Sequence, residues 1–499
     1  MAIIVSIDAG TTGVRSFAVD ESGAPVGWAY REFPQYFPRP GWVEHDATEI
    51  WDAIVATLAE LVAKLDQPIA AIGVTDQRET VVVWDKDTGQ PLHRAIVWQD
   101  RRTAQRCDQL AAEGHLDLVR STSGLVLDPY FSSSKLEWLF TEAGIPANAS
   151  TAFGTVDSWV LWNLTGGAEH ATEPSNASRT MLFDIGEMRW SDELTDLFGV
   201  PQSCLPEVRP SSGRFGVTAE GLPIPAGIPV SGMAGDQQAA LFGQACFEPG
   251  MAKNTYGTGS FVLMNVGETC PAPVDGLLTT VGWQLGDGAV TYVLEGAVFV
   301  TGAAIQWLRD GLGIIDDASE IGPLAASCET TGGVYVVPAF AGLGSPWWDP
   351  YARGTIVGLT RGTGRAEIAR AVVEAMAYQS RDVVDAMTAA SGHEVRDLRV
   401  DGGASVMDLL LQFQADQLGV RVLRAKVQET TALGTAYMAG LAEGIWSSTD
   451  ELASYWASDG EFDPQGGDDS SSGSAVDSEA AYSNWRRAVE RSLAWETSE

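Results

Sequence analysis

Residues 3–19 read IIVSIDAGTTGVRSFAV. The β-branched run over 3–8 predicts a buried strand, and a glycine-rich turn separates it from a second strand predicted over 14–19. Further along, apolar residues follow helical spacing over 49–65, and strand character returns over 69–75. This alternation of strands and helices predicts an α/β fold.

A second unit repeats this opening. Residues 251–263 again predict a strand, a Gly-Thr turn and a strand. The two turns, 10–13 and 257–260, are expected of two related domains that face one ligand. We therefore divide the chain into a domain over 1–246, a domain over 247–458, an acidic Gly/Ser-rich linker over 459–475 and a terminal helix over 476–499.

The composition limits the class of function. The chain has 499 residues, and its 31 Lys and Arg against 66 Asp and Glu give a formal net charge of −35. Phosphate backbones and anionic membrane surfaces repel such a charge, so we expect neither nucleic-acid binding nor membrane association. The apolar run over 2–7 is too short for a signal peptide, and the uncharged stretch 330–348 is interrupted by Gly and Pro. These features predict a cytoplasmic protein.

Metal and disulfide chemistry have little support in the sequence. The five cysteines contain no CxxC pair, which is typical of reduced thiols. The five histidines do not follow the spacing of zinc ligands, so we do not expect a zinc enzyme.

Two acidic residues each follow an apolar strand and meet glycine. Asp8 leads into the turn Gly10-Thr11-Thr12-Gly13, and Asp236 follows the run 228–235. Carboxylates at strand ends can hold Mg²⁺ or accept a substrate proton. One such acid could equally be a turn residue, but two of them beside Gly-Thr turns favour a functional site.

The Gly-Thr turns offer clustered backbone N–H groups, which polyphosphates bind. Arg15 lies two residues after the first turn and would add a charged contact, and Asp401-Gly402-Gly403-Ala404 would let a nucleoside approach the backbone. Both glycine patterns are also typical of ordinary tight turns. A P-loop is excluded because the dipeptide Gly-Lys does not occur, and a Rossmann site because no GxGxxG follows a strand.

Polar residues also follow the strand predicted over 69–75. Arg78 and Glu79 supply donors and an acceptor that suit a neutral polyhydroxy ligand, although a surface ion pair is the alternative interpretation. Trp98 and Phe261 could form an apolar wall against the carbons of that ligand, or could belong to the core. Tyr130 lies in a loop context, where its hydroxyl could reach a ligand or simply pack.

Seven segments together carry a family resemblance. They read IDAGTTGVR (7–15), DQRET (76–80), SNASRTMLF (175–183), AGDQQAALFGQ (234–244), KNTYGTG (253–259), LEGAVF (294–299) and GLGSPWWDPYARG (342–354). In this order they resemble the FGGY family of carbohydrate kinases, in its bacterial glycerol kinase branch. The resemblance runs from about residue 3 to 458 and resumes in the terminal helix.

The resemblance implies two ribonuclease-H-like domains of the actin/Hsp70/sugar-kinase superfamily, which flank a central cleft. It implies transfer of a phosphoryl group from ATP to glycerol, giving ADP and sn-glycerol 3-phosphate, in a homo-oligomer (a dimer or tetramer). Asp236 would be the general base, and Asp8 and Asp236 would hold Mg²⁺. Glycerol would bind in the first domain through Arg78, Glu79, Tyr130, Asp236, Gln237 and Trp98, and Phe261 of the second domain would also contact it. ATP would contact Thr11, Thr12, Gly13, Arg15, Thr258, Gly302, Gln306 and Gly403, and the second domain would hold its nucleoside.

The chain departs from the family pattern in three places. Ala9 replaces the usual Gln, and Met407 replaces an Asn that often reaches adenine. The stretch 217–229 lacks the Gly-Gly-Thr-Arg loop through which some members bind fructose 1,6-bisphosphate, and it lacks the histidine that is phosphorylated in others. Neither form of regulation is therefore expected.

Three alternative functions compete with this interpretation: a kinase for another small polyol or ketose, an actin- or Hsp70-like nucleotide switch, and an inactive homologue. The roughly 40 residues after position 458 are too few for a peptide-binding domain, which disfavours the switch. The presence of both Asp8 and Asp236 disfavours the inactive homologue.

Overall fold

Strand β1 forms where the β-branched run predicts it, and its apolar side chains are buried on both faces of a sheet. The computed structural model describes residues 2–465 and 478–496. The first half contains the strands β1 Ile3–Ala9, β2 Gly13–Val19, β3 Pro25–Glu32, β4 Glu44–His45, β5 Ile69–Asp76, β6 Val82–Asp85, β7 Ala95–Ile96, β8 Thr151–Gly154, β9 Ala171–Thr172, β10 Phe183–Asp184, β11 Arg189–Trp190, β12 Glu207–Val208, β13 Ser212–Val217 and β14 Pro229–Gly235. Its helices are α1 Ala47–Val62, α2 Ala104–Ala112, α3 Leu116–Ser123, α4 Ser132–Thr141, α5 Val156–Leu164, α6 Pro174–Ala177, α7 Asp192–Leu197 and α8 Asp236–Gly243.

The second half has its own strands and helices. Its strands are β15 Ala252–Tyr256, β16 Ser260–Gly267, β17 Leu278–Gln284, β18 Val290–Val298, β19 Tyr335–Val337, β20 Thr355–Val357, β21 Asp397–Gly402, β22 Arg421–Ala425 and β23 Ser458–Phe462. Its helices are α9 Gly302–Gln306, α10 Ile321–Ala326, α11 Arg365–Ser391, α12 Asp408–Leu418, α13 Thr430–Ala442, α14 Thr449–Tyr455 and α15 Ser478–Glu490.

The two main sheets share one pairing pattern. In the first sheet β1 pairs antiparallel with β2 and parallel with β5, β2 pairs antiparallel with β3, and β5 pairs parallel with β14. In the second sheet β15 has the same relations to β16 and β21, which continue to β18 and β22. The repeated topology agrees with the predicted pair of ribonuclease-H-like units. The two Gly-Thr turns occupy equivalent positions in it, between β1 and β2 and between β15 and β16.

Strand register places the predicted site residues on one sheet edge. Ala9 of β1 and Gly235 of β14 both pair with Asp76 of β5. Because these three strands are parallel, their carboxyl ends meet at the same edge, which in such sheets is where ligands bind. The segments that follow the three strands carry the first Gly-Thr turn, Arg78 with Glu79, and Asp236.

Helix α13 belongs to the second half in sequence but packs against the first sheet. The Ser6 hydroxyl of β1 lies 2.7 Å from the Thr435 hydroxyl of α13. A Cβ added to Gly73 of β5 would lie 2.4 Å from the Thr435 carbonyl oxygen, so only glycine allows this approach. Helix α13 also packs along α8, which follows Asp236, so these two helices lie between the sheets.

The start of the predicted linker over 459–475 is wrong, because Ser458–Phe462 forms β23, an edge strand antiparallel to β22. Two ion pairs hold it in place: Arg424 Nε lies 2.6 Å from Asp459 Oδ1, and Arg421 Nε lies 2.6 Å from Asp463 Oδ1. The Gly- and Asp-rich composition favoured a linker, whereas the free edge of β22 favours pairing. Residues 466–475 of that prediction lie outside the described part of the chain.

The terminal helix α15 packs on the long helix α11. Tyr482 donates to Asp382 Oδ1 at 2.6 Å, and the Trp485 indole donates to Asp382 Oδ2 at 2.8 Å. Trp485 also stacks on Tyr378, with the ring centroids 5.3 Å apart.

All five cysteines are free thiols. In the described ranges, we find no helix with the length and apolar character that crossing a bilayer requires.

Candidate active site

Arg78 and Glu79 are buried at the edge of the first sheet, with exposed fractions of 2% and 1%. This excludes the interpretation as a surface ion pair. Glu79 has a φ of +62°, a left-handed conformation that costs a β-carbon-bearing residue about 1 kcal/mol or more. Such local strain is common where a backbone is held for function.

Arg78 lies at the centre of a buried ionic network that joins the two halves. Its guanidinium donates to both carboxylate oxygens of Glu295 on β18, at 2.5 and 3.2 Å. Arg179 completes the network by donating to Glu79 at 2.6 Å and to Glu295 at 2.9 Å. Burial alone would raise the pKa of Glu295, but Arg179 and Arg78 bring it down to about 2. Glu295 is therefore a fixed negative charge.

Asp236 stands at the first turn of α8 and faces this network. Its Oδ1 accepts hydrogen bonds from the Gln237 backbone N–H at 2.7 Å and lies 3.1 Å from Arg78 Nε. Its side chain keeps 28% of its surface exposed to the cleft between the sheets. Burial raises the pKa of Asp236, and the charges of Arg78 and Lys253 oppose that rise.

Aromatic rings surround the Arg78 guanidinium. Tyr130 accepts a hydrogen bond from Arg78 Nη2 at 3.3 Å, and the rings of Trp98 and Tyr130 meet edge to face with centroids 5.6 Å apart. The guanidinium carbon lies 5.8 Å from the ring centroid of Phe261. Trp98, Tyr130 and Phe261 are all half-buried, so part of each ring is open to the site.

The first Gly-Thr turn is held from two sides. The Gly10 N–H donates to the Gly13 carbonyl at 3.0 Å, and the Trp98 indole donates to the Thr11 hydroxyl at 3.0 Å. Thr12 is exposed at the tip of the turn. Arg15 extends from β2 and forms an ion pair with Glu429, which precedes α13. The structure therefore gives Arg15 a partner in the second half, which sequence reasoning did not predict.

Asp8 ends β1 beside this turn. Burial raises its pKa to about 7, while the charge of Arg15 lowers it and that of Asp236 raises it further. The two predicted acids are thus close enough to influence each other across the site.

The remaining predicted nucleotide residues lie together in the second half. A cavity of about 780 Å³ is lined by Thr258, Gly302, Gln306 and Gly403, together with Met407. A Cβ added to Gly302 would lie 2.5 Å from the Gly257 carbonyl oxygen, so glycine is needed where α9 approaches the second Gly-Thr turn. Met407 gives the cavity an apolar thioether.

Sequence reasoning missed Glu295, Arg179 and Lys253. Each is fully buried, and each was part of a quoted motif without a role of its own. The available signal was a charged residue inside an apolar strand, as in LEGAVF, because such a charge needs a partner. The partner could not be named because it lies on the other half of the chain.

His45 supports the turn from behind. Its Nδ1 lies 3.2 Å from Gln77 Nε2, which also donates to the Gly10 carbonyl at 3.1 Å. Since the amide donates, Nδ1 must accept, and a protonated ring could not make this bond. His45 is fully buried, and burial lowers its pKa to about 4.

We expect His45 to make the protein less stable in mild acid. In the unfolded chain the His45 imidazole binds a proton with a pKa near 6.5, whereas in the folded protein it does so only near pH 4. The contribution of neutral His45 to the free energy of unfolding is therefore complete above pH 6.5 and is lost between pH 6.5 and about 4. The loss is about 3 kcal/mol at most. Urea unfolding at pH 7 and pH 4.5 measures it, and the variant His45→Gln should lose less over this interval. Equal losses in the two proteins would contradict the expectation.

Comparisons with known proteins show the family of the chain. Models of the N-terminal and C-terminal domains of the FGGY family of carbohydrate kinases match residues 3–243 and 252–443. Glycerol kinase 2 of Thermotoga maritima is 52% identical over 99% of this chain and 100% of its own length. A glycerol kinase of Dechloromonas aromatica is 53% identical over 99% of this chain and 98% of its own.

Solved structures show the same fold. The crystal structure of Plasmodium falciparum glycerol kinase with ADP superposes with a TM-score of 0.92 at 35% identity, and covers 99% of this chain and 98% of that one. Xylulose kinase from Rhodospirillum rubrum superposes with a TM-score of 0.85 at 24% identity, over 97% of this chain and 98% of its own, which shows the shared fold alone.

Proposed function

Because the chain belongs to the FGGY family of carbohydrate kinases and functions as an ATP-dependent glycerol kinase, we propose that Asp236 is its general base. One observation carries this proposal. Asp236 Oδ1 is held by Arg78 and by the Gln237 backbone, whereas within the described residues no donor bonds to Oδ2. One oxygen therefore fixes the carboxylate, and the other is available to a substrate hydroxyl in the cleft.

The reaction needs little covalent help from the protein. The oxygen of a terminal glycerol hydroxyl attacks the terminal phosphorus of ATP, its O–H proton moves to Asp236, and ADP leaves in line with the new P–O bond. A primary alcohol is a weak nucleophile until its proton can leave, so the position of the acceptor matters more than its basicity. The raised pKa of Asp236 assists by making it a better acceptor.

Arg78 and Glu79 are proposed to recognise the glycerol hydroxyls. Arg78 offers donors and Glu79 an acceptor, and their buried network keeps both from reorienting. Trp98 and Phe261 would contact the carbon chain, and Tyr130 would contribute its hydroxyl. The polar groups of Arg78 and Glu79 match the hydroxyls of a three-carbon polyol, and the half-buried aromatic rings around them match its carbons.

The two Gly-Thr turns and the second-half cavity are proposed to hold ATP. The nucleoside would occupy the cavity lined by Gly302, Gln306 and Gly403, with its phosphates directed towards Thr258 and the turn at 10–13. Arg15 would add a positive charge beside the phosphates. This arrangement directs the terminal phosphate towards Asp236.

The donor set also fits Mg²⁺ bound with ATP. In the parts of the chain that the structure describes, no cluster of three or more His, Cys, Asp or Glu could hold a metal ion. Mg²⁺ in kinases is usually held by one or two carboxylates, by water and by the nucleotide phosphates, so such a cluster is not required. Asp8, with Asp236, would provide the carboxylates, and the ion would neutralise charge on the phosphates.

A substrate panel tests the proposal. We expect ADP production in a coupled assay to depend on glycerol, with kcat/KM for glycerol at least about 100-fold above that for a pentulose such as xylulose. The reason is that one unmatched buried polar group costs about 1–3 kcal/mol, and a longer ketose leaves several unmatched. Faster turnover of the pentulose would contradict glycerol as the substrate, and ADP production that ignores both would contradict the kinase reaction.

A further inference from the structure

Lys253 is a fully buried cation beside the proposed glycerol site. It lies on β15, and its Nζ donates to Gln237 Oε1 at 2.5 Å and to the Thr255 hydroxyl at 2.9 Å. Among the described residues, no carboxylate lies within 4.0 Å of this ammonium group. The charges of Asp401 and Asp236 act on this ammonium group at longer range, but both of its hydrogen bonds go to neutral groups, one of them the Gln237 amide.

The contact determines which way the Gln237 amide faces. An ammonium group has three donors and no acceptor, so it can be met only by the amide oxygen. Gln237 Nε2 must then point to the opposite side of the amide. Within the described residues, no group accepts a hydrogen bond from Nε2, although only 9% of the Gln237 surface is exposed. The side chain therefore presents two unused N–H donors next to Asp236.

We propose that Lys253 is a positioning residue for the kinase reaction: its ammonium group fixes the Gln237 amide so that Nε2 donates to a glycerol hydroxyl other than the reacting one. The inference rests on the proposed function, in which Asp236 takes the proton of the reacting hydroxyl. Lys253 touches neither glycerol nor ATP and acts through Gln237.

Two further observations support this assignment. Thr255, two residues along β15, accepts a second Lys253 hydrogen bond on the same face of the strand and restricts the ammonium position. Gln237 is the second residue of α8, so its backbone holds Asp236 while its side chain is held by Lys253. Strand β15 belongs to the second sheet, so this contact aligns the glycerol side of the cleft with the nucleotide side.

A double-mutant cycle tests the proposal in the full-length protein. We expect Lys253→Met to raise KM for glycerol at least tenfold with KM for ATP within about twofold of wild type. Gln237→Ala should have a similar effect, and the double variant should be no worse than the poorer single variant, because both remove one interaction. The control Lys86→Met removes a lysine whose Nζ donates to the Ser203 carbonyl, outside the proposed site, and should leave both constants unchanged. Multiplicative effects, or an unchanged KM in Lys253→Met, would overturn the inference.

Two diols separate positioning from a general structural role. 1,2-Propanediol and 1,3-propanediol each lack one glycerol hydroxyl. The loss of kcat/KM in Lys253→Met should disappear with the diol that lacks the hydroxyl bound by Nε2 and persist with the other. An equal loss with both diols would mean that Lys253 only supports the fold, and would overturn the proposal.

A second variant keeps the test decisive if Lys253→Met does not fold. Gln237→Glu retains an oxygen for Lys253 but replaces the Nε2 donors with an acceptor, so KM for glycerol should rise at least tenfold at an unchanged melting temperature. A wild-type KM in Gln237→Glu would overturn the inference. Wild-type protein that fails to phosphorylate glycerol would instead contradict the proposed function itself, so the two failures are distinguishable.

Discussion

Replacing Asp236 by Asn should lower kcat for glycerol phosphorylation by about 10²–10⁴-fold, the usual contribution of a general base. Asn keeps the size of the side chain and an oxygen that can accept from the Gln237 N–H and lie beside Arg78, so the geometry at Oδ1 is retained. It removes the group that takes the substrate proton. Steady-state kinetics in a coupled ADP assay give kcat, and nucleotide titration gives the dissociation constant of ATP, which should change little.

The matched control for this variant is Asp463→Asn, an acid in an exposed ion pair with Arg421 on the outer edge of the second sheet. Its kcat should equal that of wild type, because exposed pairs contribute little and this one is remote from the cleft. A kcat for Asp236→Asn within about tenfold of wild type would exclude Asp236 as the base.

The variant Arg78→Met should lose about 3–5 kcal/mol of unfolding free energy, because it leaves buried carboxylates without their counter-charge. Arg78 bonds to Glu295 and lies beside Glu79 and Asp236, and removing it leaves Arg179 paired with Glu79 and Glu295 and leaves Asp236 without its paired arginine. The folded fraction should also bind glycerol much more weakly, since the proposed hydroxyl donors are gone. Urea titration followed by fluorescence, combined with glycerol KM, measures both effects.

An exposed arginine provides the comparison for that stability loss. Arg396 pairs with Glu248 at 2.9 Å, with both side chains 66% exposed. Arg396→Met should therefore change the unfolding free energy by less than about 1 kcal/mol. Similar losses of unfolding free energy in Arg78→Met and Arg396→Met would show that the Arg78 network stabilises the protein no more than an exposed ion pair does.

Much of the fold could be predicted because local patterns determine it. The β-branched run at 3–8, the paired strands around Gly257 and the helix Ala47–Val62 all follow from apolar spacing and glycine turns. Apolar residues have helical spacing over 299–312, but helix α9 starts only at Gly302, and a π-helical turn follows it over Trp307–Gly311. Phe299 and Val300 precede the close approach of Gly302 to the second Gly-Thr turn, which delays the helix.

The candidate site was predictable in part for a related reason. Asp8 lies near the end of β1, and Arg78, Glu79 and Asp236 follow β5 and β14 of the same sheet, so a sheet edge brings together residues far apart in sequence. Glu295 and Lys253 could not be assigned roles because their contacts cross between the two sheets. No local pattern encodes how two sheets are placed relative to each other.

The packing of α13 on the first sheet means that neither half is an autonomous folding unit. A fragment that ended near residue 246 would keep strands β1, β5 and β14 but lose the helix that covers one of their faces. Its uncovered apolar surface would make it aggregate or bind whatever fragment restored α13. A gene fusion that replaced only one half of the chain would disrupt the packing of α13 on the first sheet. The two halves are therefore constrained to change together in evolution.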